Sequence, residues 1–252
     1  MPLTAQDLDK STSHPHTEAG AETLHDTHHH QPPIQQHQIY QSTTQPFFPV
    51  YHGSKFANPS PLALFALASG LYITSQVALG TGGLANLSIT VTIGLGYSAV
   101  ALLIAGIWEF PSGNPFASAL FVSLSGFFAS LALVLSPWSD VSTSYTNAAE
   151  FPVAVSQFFF AWFITVFCFI VAAHRSSGGL LIALSLIDLT LLFFGLSYRY
   201  PSTTGPLTAG GSFGIIAAFV CWYAALASLL TEESSLFRLP VLGNFSKKQH
   251  SA

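Results

Sequence analysis

Charge is what this sequence has least of. Only 7% of its 252 residues are Asp, Glu, Lys or Arg, while 50% are hydrophobic; an ordinary soluble domain carries about 25% charge. No charged side chain stands from Phe56 to Trp108, from Phe110 to Ser139 or from Phe151 to Ala173. A water-facing surface cannot be built from such material, so lipid must be the solvent. Seven Lys and Arg residues are too few for a nucleic-acid surface. The net charge of -4, with five of the 11 acidic residues in the first 26 positions, implies no polyelectrolyte partner. The two cysteines, Cys168 and Cys221, lie inside apolar runs and exclude a disulfide framework. No activated nucleophile, phosphate loop or ordered metal cluster appears, so the chain reads as no enzyme and as needing no cofactor. The first 50 residues, rich in His, Gln, Thr and Pro, lack the apolar core of a cleavable signal peptide.

What is there is apolar length. About 20 apolar residues cross the roughly 30 Å hydrocarbon layer as a helix, and six stretches fit: Pro61 to Gly80, Ser88 to Ile107, Phe116 to Leu135, Pro152 to Ala173, Gly179 to Tyr198 and Leu207 to Leu230. The connections between them are rich in Gly, Pro, Asn and Ser. The expected fold is all-α and integral to the membrane, a six-helix bundle over residues 56–230. A disordered polar tail is expected over 1–55 and a second tail over 231–252.

Lys10, Lys55, Arg175, Arg238, Lys247 and Lys248 fall on the side shared by both termini, and Arg199 alone falls opposite. The positive-inside rule then predicts cytoplasmic termini. The tail cluster of His28, His29 and His30, with His14, His16, His25 and His37 near it, offers weak metal binding or acid sensing. A disordered low-complexity tail without a site is the better reading, since nothing fixes ligand geometry.

The first span opens on Asn58, Pro59, Ser60, Pro61 and Leu62. Two prolines preset the backbone and remove amides that a helix start would leave unpaired. Asn58 can cap this turn, or it can aim its amide at a ligand carboxylate beside the helix N-terminus. Asn58, Leu62, Phe65, Ser69, Tyr72 and Gln76 share one face, a stripe suited either to a solute path or to hydrogen bonds between helices. Small residues four apart, Gly94 with Ser98 and Gly210 with Gly214 and Ala218 among them, predict close helix packing.

After the second span stands Gly106-Ile-Trp108-Glu109-Phe110-Pro-Ser-Gly113-Asn114-Pro-Phe116. The run G-x-W-E-F-x-x-G-N-x-F, following N-P-x-P-L some fifty residues earlier, resembles the acetate transporter (AceTr) family, which holds succinate-acetate permeases and fungal ammonia and acetate exporters. The resemblance covers the membrane region. It implies a six-helix protomer, a homo-hexamer, and in each protomer a path for acetate or another small monocarboxylate, with protons as the coupled partner. It further implies that Asn58, Pro59, Pro61 and Leu62 matter for uptake and that Trp108, Phe110, Gly113, Asn114 and Phe116 are motif positions.

The chain departs from that pattern along the expected path. Ala63 replaces a usual Gly, Leu102 a usual Gln, and the third-helix pattern appears as Ser123-Leu124-Ser125-Gly126-Phe127-Phe128. The family's narrow point, an aromatic and a Tyr, aligns with Leu67 and Leu124. Two leucines can still exclude water from a narrow passage.

Two acidic residues are candidates for handling a proton. Glu109, in the connection after the second span beside Trp108, either braces its loop by accepting backbone amides or relays protons. Asp188, mid-way along the fifth span, must face the bundle, pair, or be protonated. It serves either as a proton carrier or as a hydrogen-bond donor between helices. The expected function is a plasma-membrane permease for short monocarboxylates. The alternatives are an ammonia export channel and a non-transporting sensor of acid.

Overall fold

In a computed structural model of the chain, residues 57–174, 177–230 and Leu239 are described. The His-rich tail and the six basic residues on which the orientation depends lie outside the described residues. The described chain forms α1 (Ser60–Ala78), α2 (Ser88–Ile93), a π-helical segment (Gly94–Ala99), α3 (Val100–Glu109), α4 (Pro115–Leu135), α5 (Glu150–Ala172), α6 (Gly178–Arg199) and α7 (Gly205–Leu229). Among the described residues there is no strand. The second span, Ser88–Glu109, is α2, the π segment and α3 end to end, so six helices are long and apolar enough to cross a membrane. Each begins and ends within two residues of the stretch expected from the sequence.

The boundaries follow local chemistry. Proline occupies the first turn of α1, α4 and α7, where the missing amide has no helical partner to lose. Asn114 caps α4 through its side chain, and Ser177 caps α6. Past α1 the chain reverses at Gly80, whose φ of 63° suits a residue without Cβ. The helix ends define two faces of the bundle: the Asn58 face, where α1, α4 and α6 begin, and the Gly80 face, where they end.

Small residues set how near the helices come. A Cβ on Gly211 would lie 2.8 Å from Leu79, and one on Gly214 would strike the Ser75 hydroxyl, so α7 lies directly against α1. A Cβ on Gly210 would lie 2.7 Å from the Phe194 ring, which seats α7 on α6 as well. A Cβ on Gly106 would lie 2.9 Å from the Val122 amide nitrogen, fixing α3 on α4. The glycines at 210 and 214 therefore pack closely, as their spacing predicts, Gly210 onto α6 and Gly214 onto both α1 and α6. Gly94 packs against Phe128 and Ala132 of α4, whereas Gly96 faces open space.

The π segment was not expected. It carries the second span past α1 and α4 with two hydroxyl links: Ser98 donates to the Ala66 carbonyl at 2.9 Å, and Ser125 donates to the Ala99 carbonyl at 2.7 Å. An i→i+5 turn displaces carbonyls from the regular helical ladder, which suits them to accept from neighbours. Between α4 and α5 the seam is filled by rings instead. Phe127 stacks on Phe158 at 5.9 Å and meets Trp162 edge-on at 5.4 Å.

A Gly214→Val substitution forces a branched side chain against Ser75 and Thr190, at a cost of about 1–3 kcal/mol typical of overpacking. It should lower the thermal stability of the detergent-solubilised protein, read as loss of the monodisperse chromatography peak after heating. Gly96→Ala, in open space, should not; equal behaviour of the two variants would contradict the close approach.

Candidate functional site

At the Asn58 face the start of α1 is closed on itself. Asn58 Oδ1 accepts from the Ser60 amide at 3.0 Å, and the Pro59 carbonyl accepts from the amides of Leu62 at 3.1 Å and Ala63 at 3.4 Å. Pro61 has no amide. The free amides that would draw a carboxylate are thus absent from this turn. Asn58 Oδ1 thus closes a turn just ahead of α1, whose N-cap position is Pro59 without a side-chain cap, while Asn58 itself stays exposed.

The hydroxyl of Ser60, two residues on, donates to Glu109 Oε1, and both residues are 2% exposed. The expected loop brace is therefore a tie between the start of α1 and the end of α3, made through a hydroxyl and not through backbone amides. The Glu109 carbonyl accepts from the Asn114 amide at 3.1 Å, and Asn114 Oδ1 accepts from Ala117 N at 3.2 Å to cap α4. Gly113 supplies the left-handed turn between them, at φ 81°. Phe116 packs edge-on against Phe169 of α5, with ring centroids 6.0 Å apart. Trp108 and Phe110 point outward and are exposed. Most of the motif is thus an anchor joining α1, α3, α4 and α5.

The middle of the bundle is apolar and filled. Leu67, Leu124 and Leu102 are all buried in one core with Phe121 and Phe128. Ser123 is only half-buried, one step off the face on which Leu124 and Ser125 lie. Ser98 and Ser125, read from the sequence only as a packing position and a motif position, join Ser60 among the hydroxyls that reach neighbouring helices. Spacing alone could not single them out, because serines at ordinary intervals occur throughout the spans.

The polar stripe on α1 runs along the edge of the buried face. Leu62 is exposed and the Ser69 hydroxyl donates to its own helix at Phe65 O, 2.8 Å. Tyr72 packs on Trp222 and Phe219 of α7, with ring centroids at 5.2 and 6.2 Å. This stripe is a packing seam between α1 and α7.

Asp188 stands midway along α6 and is 7% exposed, with Oδ1 buried and without a hydrogen-bond partner. Arg199 is exposed at the end of the same helix, eleven residues on, about 16 Å along the axis at 1.5 Å per residue. Among the described residues no group of three or more His, Cys, Asp or Glu side chains could hold a metal ion.

At the Gly80 face a cavity of about 660 Å³ opens into the bundle between α1, α4, α5, α6 and α7. Thr74, Leu131, Phe159 and Phe194 line it, and Ser197, Tyr198, Thr203, Thr204 and Thr208 supply hydroxyls. No charged residue lines it. Thr74 and Leu131 each stand seven residues, two helical turns, beyond Leu67 and Leu124 on the same helices. The cavity and the leucine pair thus follow one line down the bundle, about 10 Å apart.

Residues 40–243 match the GPR1/FUN34/yaaH family. Acetate permease A of Emericella nidulans is 32% identical over 74% of the chain and 66% of its own length. Ammonia transport outward protein 2 of Saccharomyces cerevisiae is 28% identical over 72% of the chain and 64% of its own length. The chain spans just under two thirds of these fungal relatives. A solved structure of the bacterial acetate channel SatP superposes with a TM-score of 0.63, covering 71% of this chain and 96% of that one at 19% identity. This likeness places the bundle among multi-pass membrane folds.

Removing either end of the Ser60–Glu109 tie takes a hydrogen-bond partner from a buried polar group, a loss of about 1–3 kcal/mol. Ser60→Ala and Glu109→Ala should each lower unfolding stability in detergent, and the double variant should lose clearly less than the sum. Strict additivity would mean the two groups do not depend on each other.

Proposed function

Because the chain belongs to the GPR1/FUN34/yaaH family, we propose that it is a permease for acetate and similar short-chain monocarboxylates, coupled to protons, in the plasma membrane. The observation that carries this reading is the uncharged cavity leading from the Gly80 face toward Leu67 and Leu124. A small weak acid fits such a passage; a large or multiply charged solute would lose its hydration without compensation. The names of the acetate permease and of the acetate channel support the same substrate class.

In this reading Leu67 and Leu124 form the constriction, closed to water because both are apolar and buried. Ser123 borders it on α4. Asn58, closing the turn ahead of α1 at the opposite mouth, keeps an exposed amide for solute, and Pro59, Pro61 and Leu62 hold that turn in shape. Asp188 carries the proton, since its buried Oδ1 has no hydrogen-bond partner among the described residues. Glu109, already bonded to Ser60, has the structural role.

Both termini face the cytoplasm by the distribution of Lys and Arg. The protomer assembles as a homo-hexamer through apolar stripes left uncovered on its outer surface, such as Val100, Leu103, Ile104 and Ile107 of α3. The catalytic chemistry of an enzyme has no place in this mechanism. Ammonia release is the competing reading, favoured by the apolar core and by the outward ammonia transport named for one relative.

Purified full-length protein in lipid vesicles should take up labelled acetate saturably, and an inward proton gradient should drive accumulation. Absence of saturable uptake with and without the gradient would sink the permease reading, and ammonia flux without acetate flux would favour its rival. Asp188→Asn should keep acetate equilibration but lose gradient-driven accumulation by tenfold or more; retained accumulation would remove Asp188 from the proton path.

A further inference from the structure

Between the Gly80-face cavity and the leucine pair lies a level of the bundle filled by one aromatic ring. Along α1 the inward face runs from Thr74 through Gly70 to Leu67, and along α4 from Leu131 through Phe128 to Leu124. Thr74 and Leu131 line the cavity, whereas neither Gly70 nor Phe128 does. Phe128 is 2% exposed and belongs to the same core as Leu67 and Leu124. At 1.5 Å per residue it stands about 4.5 Å inward of Leu131 and about 6 Å short of Leu124 along the helix. The cavity therefore stops at the level of this ring, before the leucines are reached.

The ring reaches across to α1. A Cβ on Gly70 would lie 2.5 Å from Phe128 Cε1 and 2.7 Å from Cζ, and it would also strike the Ser98 hydroxyl. The missing side chain thus leaves a notch in α1, and the tip of the Phe128 ring occupies it. Ser98 is fixed beside the notch by its bond to the Ala66 carbonyl at 2.9 Å. The backbone of α4 is held as well, since a Cβ on Gly94 of the second span would lie 3.4 Å from the Phe128 carbonyl oxygen. Phe127 meets the ring edge-on with centroids 5.2 Å apart, and is itself packed against Phe158, Phe159 and Trp162. A ring enclosed in this way holds one position, a bar between α4 and α1.

From this seating we infer that Phe128 is a specificity-determining residue of the passage: lodged in the Gly70 notch, it closes the inner end of the cavity and limits the size of solute that goes on to the leucine pair. A two-carbon acid asks for a small displacement of the ring. Each further carbon asks for a larger one, against neighbours packed too closely to yield cheaply. Shortening the side chain at position 128 joins the cavity to the space beside Leu67 and relaxes that limit. This rests on reading the cavity as one mouth of the permeation path.

The test measures size discrimination at the ring without relying on transport. With Cys168 and Cys221 replaced by alanine, one new cysteine is placed on the cavity side of the ring, Thr74→Cys, or beyond it, Leu67→Cys. The full chain in lipid vesicles is then treated with methyl methanethiosulfonate or its bulkier benzyl counterpart. Normalised to Thr74→Cys, the Leu67→Cys thiol should react at least tenfold more slowly with the benzyl reagent than with the methyl one. Phe128→Leu and Phe128→Ala should each shrink that difference threefold or more. The leucine variant keeps the core nearly filled, so a misfolded alanine variant leaves the test intact. In uptake, the same truncations should raise the butyrate-to-acetate ratio at least threefold. Absence of size discrimination with Phe128 in place, or discrimination that survives both truncations, would overturn the inference. Ring-dependent discrimination in a protein that takes up no acetate would sustain it while the permease reading fails. Saturable acetate uptake, with labelling and the butyrate-to-acetate ratio unmoved by truncation, would do the reverse.

Discussion

Hydrocarbon solvates a leucine about as well as another leucine does, so helices in a bilayer gain little by hiding apolar surface from each other. What can hold them is close backbone approach and the few polar groups they share. In this bundle the approach is tightest where α7 meets α1, at Gly211 and Gly214. Gly210, on the neighbouring face, seats the same helix on α6. α7 thus ties the start of the chain to its last third, and the cavity between α1, α4, α5, α6 and α7 exists only because those helices are held at that spacing.

Polar groups are used sparingly and mostly in one manner. A serine or threonine hydroxyl donates to a main-chain carbonyl, within its own helix at Ser69, Thr74 and Ser197, and across helices at Ser98 and Ser125. In the first case the polarity is quenched locally; in the second it becomes glue.

The spans were legible in the sequence almost to the residue, because charge depletion and the two-proline start of α1 are local signals. The pairing of Ser60 with Glu109 was not, since 49 residues separate them and neither residue type foretells the other. The π segment escaped for a similar reason: Gly94–Ala99 contains nothing that a regular helix would refuse. Of the candidate site, Leu67 and Leu124 were marked out only by the family resemblance, as the positions aligned with its narrow point, since leucine is common throughout the spans. The cavity could not be anticipated, because its lining comes from five helices and the connections between them.

One consequence concerns synthesis. The partner that α1 touches most intimately is the last helix of the bundle, and over a hundred residues separate them along the chain. At translation rates of about 5–20 residues per second, α1 waits roughly 6–25 seconds for α7. Through that interval Ser75, whose hydroxyl ends up buried against Gly214, has only lipid, translocon or earlier helices beside it. The first helix of this bundle is thus among the last to reach its final neighbours, and truncation within α7 would leave an open seam along α1.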